Sequence, residues 1–316
     1  MFIYNFICNG YSYLRNRKYI PMRFLSPFRF IWRKLANFVL PKVLEVKTSN
    51  EMITASEFLR NFGVEKQCVV SLTSFPRRID NVWQVIECLK RQSITPDKIL
   101  LYLSKTQFPN LDDVPETIIS RIDALFEVRL VTDDLRSYKK FYYSFQEFNN
   151  DLVLLVDDDI YYPLDMVESM LKTYLDNPQK VICRFGYEMK FDQSHRLMNY
   201  IKWPLIQEES DSQYILFGTG GGSLYHPASL YKDVCNKDLF MNLCPWADDI
   251  WINAMVRLAG LTIKKMDCGG LLSILTRDNE KLFVRNVFDG QNDLQLKAVD
   301  DYYSQTIGSK IFDNKN

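Results

Sequence analysis

Five consecutive apolar residues, Leu152-Val153-Leu154-Leu155-Val156, run straight into three aspartates, Asp157-Asp158-Asp159. So short a run with no polar face predicts a strand buried on both sides, as in parallel sheets covered by helices. Its surroundings repeat the theme. Residues 68–73, 99–103, 128–131 and 181–183 read as further strands. Residues 80–91, the segment opened by Pro115, residues 138–148 and residues 164–176 carry apolar positions at helical spacing. Alternation of this kind predicts a mostly parallel sheet with helices on both faces. In such sheets ligands bind outside the carboxyl ends of the strands, where the triplet falls. Residues 185–225 then read as a long polar, aromatic and glycine-bearing excursion. A helix at 246–259 and a strand at 261–266 follow, and the tail from 270 is weakly periodic.

The chain has 316 residues, 47% of them hydrophobic, enough for one large α/β domain with additions or for two small ones. Basic and acidic residues balance at 39 each, so no global field draws nucleic acid. The balance hides an asymmetry: Arg15, Arg17, Lys18, Arg23, Arg29, Arg33, Lys34 and Lys42 occupy residues 1–44 without a single acid. Between them stand Phe24, Phe28, Phe30, Ile31, Trp32, Leu35, Phe38, Val39 and Leu40. Such a segment either lies in a membrane interface, attracted by anionic lipid, or packs on the body with its basic face in water. No stretch of about 18 apolar residues predicts a spanning helix, and the N-terminus lacks the marks of a signal peptide. Seven scattered cysteines without a CxxC pair suit reduced thiols in a reducing compartment and not zinc.

Three adjacent carboxylates repel one another, and a hard cation such as Mg²⁺ or Mn²⁺ is the simplest relief. Alternation along an extended segment would point Asp157 and Asp159 to one side. The second constellation, Asp133-Asp134-Leu135-Arg136-Ser137-Tyr138-Lys139-Lys140, follows the third strand. It offers carboxylates for a nucleoside and cations for phosphate, or else a capped helix start. The run Gly218-Thr219-Gly220-Gly221-Gly222-Ser223 fails both the P-loop and the dinucleotide fingerprints, and reads as a close backbone approach to a ligand or a flexible turn. In Pro245-Trp246-Ala247-Asp248-Asp249-Ile250-Trp251 two acids open a helix, as caps or as a general base. The two histidines, His195 and His226, read as loop residues or, less simply, as metal ligands.

The order of Val70–Arg78, the Asp-Leu-Arg-Ser-Tyr-Lys-Lys segment, the triplet, the glycine run and Ala247–Trp251 resembles bacterial GT-A glycosyltransferases of surface-polysaccharide synthesis, over residues 67–295. The resemblance implies a GT-A-like, Rossmann-like α/β fold, with its mostly parallel sheet flanked by helices. It implies a single catalytic domain at 66–295, a helical basic extension at 1–45 and a tail at 296–316. It also implies transfer, with inversion, from a nucleoside diphosphate sugar to a glycan or lipid-linked glycan acceptor, in the cytoplasm or on the cytoplasmic face of the inner membrane. Asp157 and Asp159 would hold Mn²⁺ or Mg²⁺. Thr73, Arg77, Arg78, Asp133, Asp134, Lys139 and Asp158 would receive the donor nucleotide, with Gly220, Gly221, Gly222 and Trp246 bordering sugar and acceptor. Asp249 would be the base, supported by Asp248. The family's late histidine metal ligand is missing, and Asn292-Asp293 is the candidate for that region. Competing classes are a nucleotidyltransferase, a metal-dependent phosphohydrolase, and a non-catalytic carbohydrate-binding protein on a degenerate transferase fold.

Overall fold

A computed structural model describes residues 2–15, 22–46, 52–268, 270–275 and 290–312. The side chains of Arg15, Arg17, Lys18, Arg23 and Phe24 lie outside the described set. Two helices come first, α1 (Phe2–Arg15) and α2 (Met22–Glu45), then the short α3 (Ala55–Arg60). The capping box between Thr54 and Glu57 starts α3. The predicted alternation follows: β1 (Cys68–Thr73), α4 (Ile79–Lys90), β2 (Lys98–Ser104), α5 (Glu116–Ile119), β3 (Phe126–Val131), α6 (Lys139–Glu147) and β4 (Leu152–Val156). Next come β5 (Ile160–Tyr161), α7 (Met166–Asp176), β6 (Lys180–Cys183), β7 (Gly186–Glu188), β8 (Ser210–Ser212), β9 (Ile215–Phe217) and β10 (Gly221–Tyr225). The chain continues through α8 (Lys237–Leu243), α9 (Asp248–Leu258), β11 (Thr262–Lys265), β12 (Leu272–Ser273) and α10 (Gln291–Ile307).

The main sheet has eight strands in the order β3-β2-β1-β4-β10-β6-β11-β8. Strands β1, β2, β3, β4, β6 and β11 run one way, whereas β10 and β8 run against them. The sheet is therefore mostly parallel and flanked by helices, as expected of a Rossmann-like fold. Period-two alternation sends Val70, Leu101 and Leu154 into one core with α1, α2, α4 and α7. Val69, Leu100 and Val153 enter the other, with α6, α8, α9 and α10.

Two readings of the sequence change. The glycine run is not simply a turn: Gly221-Gly222-Ser223 begins β10, a fully buried strand between β4 and β6. The weakly periodic tail contains α10, which runs through residues 295 and 296 and packs on α9 and α8. Its periodicity is weak because its inner face mixes Leu296 and Val299 with buried Asn292, Gln295 and Asp300.

The N-terminal helices pack on the body by one face each. Tyr4, Ile7, Cys8 and Tyr11 of α1 and Ala36, Leu40 and Leu44 of α2 are buried in the first core. The Tyr4 hydroxyl donates to the Tyr162 carbonyl at 2.7 Å, and Trp32 Nε1 donates to the Ile7 carbonyl at 2.9 Å. Among the described residues no helix is long and apolar enough to cross a membrane.

Candidate functional site

The parallel strands end together at Thr73, Ser104, Val131 and Val156, and β10 begins there because it runs in reverse. Both acid clusters are brought to this edge. The triplet follows β4 directly. Asp248 and Asp249 form the first turn of α9, where the helix dipole favours negative charge.

The triplet leaves β4 in a turn and not in extended backbone, so strand alternation is not what brings Asp157 and Asp159 close. The turn is held from behind. Asp157 N–H donates to the Gly220 carbonyl at 3.0 Å and to the Tyr162 hydroxyl at 2.7 Å, and that hydroxyl donates to the same carbonyl. Gly220 is required by close approach: a Cβ there would lie 1.7 Å from Asp157 Cγ. Asp158 points inward. It is buried, accepts from Ser74 Oγ at 2.5 Å and pairs with Arg78 at 3.0 Å, so it anchors the turn and does not face a ligand. Arg78 also reaches Asp159 at 3.0 Å.

Lys140, which sequence reasoning passed over for Lys139, joins the two clusters. Its buried Nζ lies 2.9 Å from Asp157 Oδ1 and 3.2 Å from Asp248 Oδ2. Burial alone would push this ammonium down, but Asp157, Asp248 and Asp249 outweigh it and hold it above the ordinary lysine value. Thr219 binds the acid pair from the other side. Its amide and hydroxyl each donate to Asp249 Oδ1 at 2.6 Å, and the hydroxyl is also 3.0 Å from Asp248 Oδ2. Burial, then the charge of Asp248, pushes Asp249 up to about 7 against Lys140 and Thr219. Burial, then Asp157, does the same for Asp159. Both lie inside runs already noted in the sequence, but nothing there singled them out; the signals available were a lysine pair opening a helix at the right edge and a threonine within the glycine run.

The other predicted residues spread around this centre. Thr73 Oγ1 donates to the Tyr102 carbonyl at 2.8 Å, and Arg77 is exposed. Lys139 is turned away from the acid clusters and pairs with Asp134 at 2.9 Å; Asp133 pairs with Lys237 at 2.9 Å. Arg136 lies 3.5 Å above the Trp246 ring, donates to the Pro245 carbonyl and has φ of 53°, in the left-handed region that non-glycine residues seldom enter. Gly221 packs against Phe185, and Gly222 adopts a φ of +99° beside Arg184 and Met166. Asp293 accepts from the Tyr200 amide at 2.8 Å, and Asn292 is buried. His195 is exposed in a turn; His226 follows β10 at the opposite edge, with Nε2 3.0 Å from Lys66 Nζ. Neither histidine joins the triplet.

Among the described residues no group of three His, Cys, Asp or Glu side chains could hold a metal ion. The donor set therefore does not make an all-protein cage. It fits a cation such as Mg²⁺ that binds one or two carboxylates and takes its remaining ligands from phosphate and water. A separate groove of about 680 Å³, lined by Met189, Phe191, Leu205 and Tyr214, is formed within the excursion and contains neither acid cluster.

No protein-family model matches this chain, and no curated protein matches it. Among solved structures, HddC from Yersinia pseudotuberculosis is similar at 12% identity and a TM-score of 0.35, covering 52% of this chain and 78% of that one. HddC complexed with GMP-PN follows at 11% and 0.34, with the same coverage. A 4-diphosphocytidyl-2C-methyl-D-erythritol synthase stands at 8% and 0.33, covering 53% of this chain and 77% of that one. Likeness this slight carries no substrate or residue role across. The neighbours named are nucleotidyltransferases, and the expected glycosyltransferase activity, with the sugar transfer it implied, is corrected in that it finds no support among them.

Proposed function

We propose that the carboxyl edge of the sheet binds a nucleoside triphosphate and transfers its nucleotidyl group to a phosphate-bearing acceptor. The observation that carries this reading is Lys140, a buried ammonium shared by two carboxylate clusters at a ligand-binding edge. Asp157 and Asp159 are the residues that would hold Mg²⁺ or Mn²⁺. A cation bound there would supply positive charge to offset the negative charge on the polyphosphate and on the departing diphosphate. Arg78 and Lys140 pair with these carboxylates, while Asp158 and Asp248 hold the same two cations from behind, so both would stand within reach of phosphate oxygen beside a cation held there. Asp249, raised to about 7, is in range to hold or release a proton at neutral pH. In the reaction an acceptor phosphate oxygen bonds to the α-phosphorus, the bridge to the β-phosphorus breaks, and pyrophosphate leaves with the bonding pair. Free cysteines throughout the chain are in keeping with a reducing cytoplasm, where nucleoside triphosphates are available.

Pyrophosphate release, measured across a panel of nucleoside triphosphates and sugar phosphates with Mg²⁺ or Mn²⁺, tests the reading. Release that requires the acceptor and disappears in Asp157→Asn is expected. Phosphate release without an acceptor adduct, retained with water as the only acceptor, identifies a metal-dependent phosphohydrolase instead.

A further inference from the structure

The exposed face of α2 is apolar where a surface helix should be polar. Phe28, Ile31, Leu35 and Phe38 recur at three- and four-residue spacing, so they form one stripe, and they are 61%, 63%, 48% and 66% exposed. The helix already has a core face in Ala36, Leu40 and Leu44, so the stripe is a second apolar face, left exposed among the described residues. On α1, Phe2 and Phe6 stack on each other, and both are exposed.

Cations sit among these rings. Lys34 Nζ lies 4.6 Å from the Phe30 centroid and Lys42 Nζ 4.0 Å from that of Phe38. Residues 1–44 hold eight basic residues and no acid, leaving 31 basic against 39 acidic residues in the remainder. A second copy of the hairpin would set one cationic face against another. An anionic bilayer satisfies both properties at once: acyl chains accept the rings, and lipid phosphates accept ammonium groups on flexible stems.

We propose that the outer face of the α1–α2 hairpin docks on an anionic phospholipid bilayer, with Phe28, Ile31, Leu35 and Phe38 at the acyl boundary and Lys34 and Lys42 at the phosphates. The hairpin is tied close to the acid clusters. Tyr4 bonds to Tyr162, three residues past the triplet, and Asn37 Nδ2 donates at 3.2 Å to the carbonyl of Ser273, on the strand paired with β5. Docking therefore holds the site beside the membrane surface and favours an acceptor carried in lipid, a consequence that rests on the nucleotidyl-transfer reading. The docking itself does not.

The full chain is sedimented with vesicles of phosphatidylcholine alone and of an equal mixture with phosphatidylglycerol. Binding only to the anionic vesicles, weakened by salt, is expected. Ile31→Asp with Phe38→Asp should weaken it at least about tenfold, because apolar burial is lost and repulsion is added. Lys34→Gln and Lys42→Gln should each weaken it about fivefold. Phe62→Asp, at an equally exposed ring of the body, should leave it unchanged, as should Asp157→Asn. Circular dichroism checks that each variant is folded. No binding, equal binding to both vesicle types, or a dimer in light scattering that Ile31→Asp dissolves each overturns the proposal; the dimer would identify a second copy as the occupant.

Discussion

Replacing Gly220 by alanine isolates the contribution of Asp157. The added Cβ would fall 1.7 to 1.9 Å from the Asp157 carboxyl atoms, so that carboxylate must leave its present position. It can do so, because the Asp157 side chain is 42% exposed and turns out into water. The backbone at Gly220 does not need glycine's conformational freedom, as its φ is not in the left-handed region. The carbonyl of residue 220 still accepts from Asp157 N–H and Tyr162. The stability cost is then the Asp157–Lys140 bond, about 1.5–3 kcal/mol for a charged hydrogen bond. Asp248 remains beside the ammonium, so the lower end, about 1.5 kcal/mol, is expected. Binding suffers far more, since a proposed ligand to the cation is displaced: a loss of about 100-fold or more in affinity for a Mn²⁺–nucleoside triphosphate pair is expected. Calorimetric titration reads the affinity and urea unfolding reads the stability. Gly222→Ala, at φ +99° and away from Asp157, is the control; it should lower stability and leave affinity within a few-fold. Native-like affinity in a folded Gly220→Ala protein would refute Asp157 as a ligand.

Three further outcomes are expected. Lys140→Met leaves Asp157, Asp248 and Asp249 facing one another and should cost about 3 kcal/mol in urea unfolding, partly restored by Mg²⁺. Asp159 and Asp249 have folded pKa values raised above those of the unfolded chain, so the folded state holds their protons more tightly. Their contribution is fully present in acid and is lost as pH rises from about 4 through about 7; the thermal midpoint should fall across that window without divalent cation, and less so in Asp249→Asn. Tyr4→Phe removes the bond to the Tyr162 carbonyl and should cost about 1 kcal/mol by urea unfolding, with faster amide exchange in α1 than in β1.

What the sequence disclosed followed from periodicity. The run Leu152–Val156 could only be an interior strand, and the spacing of Val82, Val85, Ile86 and Leu89 could only be a helix packed on a sheet. Strand β10 was hidden because Gly221-Gly222-Ser223 has the composition of a turn; small residues are needed where Phe185 and Arg184 crowd the backbone between β4 and β6. Lys139 and Lys140 are indistinguishable on paper. One helical step of 100° directs the first to Asp134 and the second to Asp157 and Asp248, and the start of α6 decides which is which. The role of Asp158 was similarly invisible. Its partners, Ser74 and Arg78, come from the loop after β1, 84 and 80 residues earlier.

The reversal of β10 has an evolutionary corollary. Because this strand enters the sheet against its neighbours, the segment from Arg184 to Gly220 leaves and returns at the same carboxyl edge. A closed excursion of that kind can lengthen or shorten without disturbing the register of any strand in the left half of the sheet, β3-β2-β1-β4. Each doubling of a flexible loop costs only about 0.6 kcal/mol of closure entropy. Related chains that keep β3-β2-β1-β4 and β10 are free to diverge first in the connections between β7, β8 and β9, and differences in which acceptor they admit should be written there and not in those five strands.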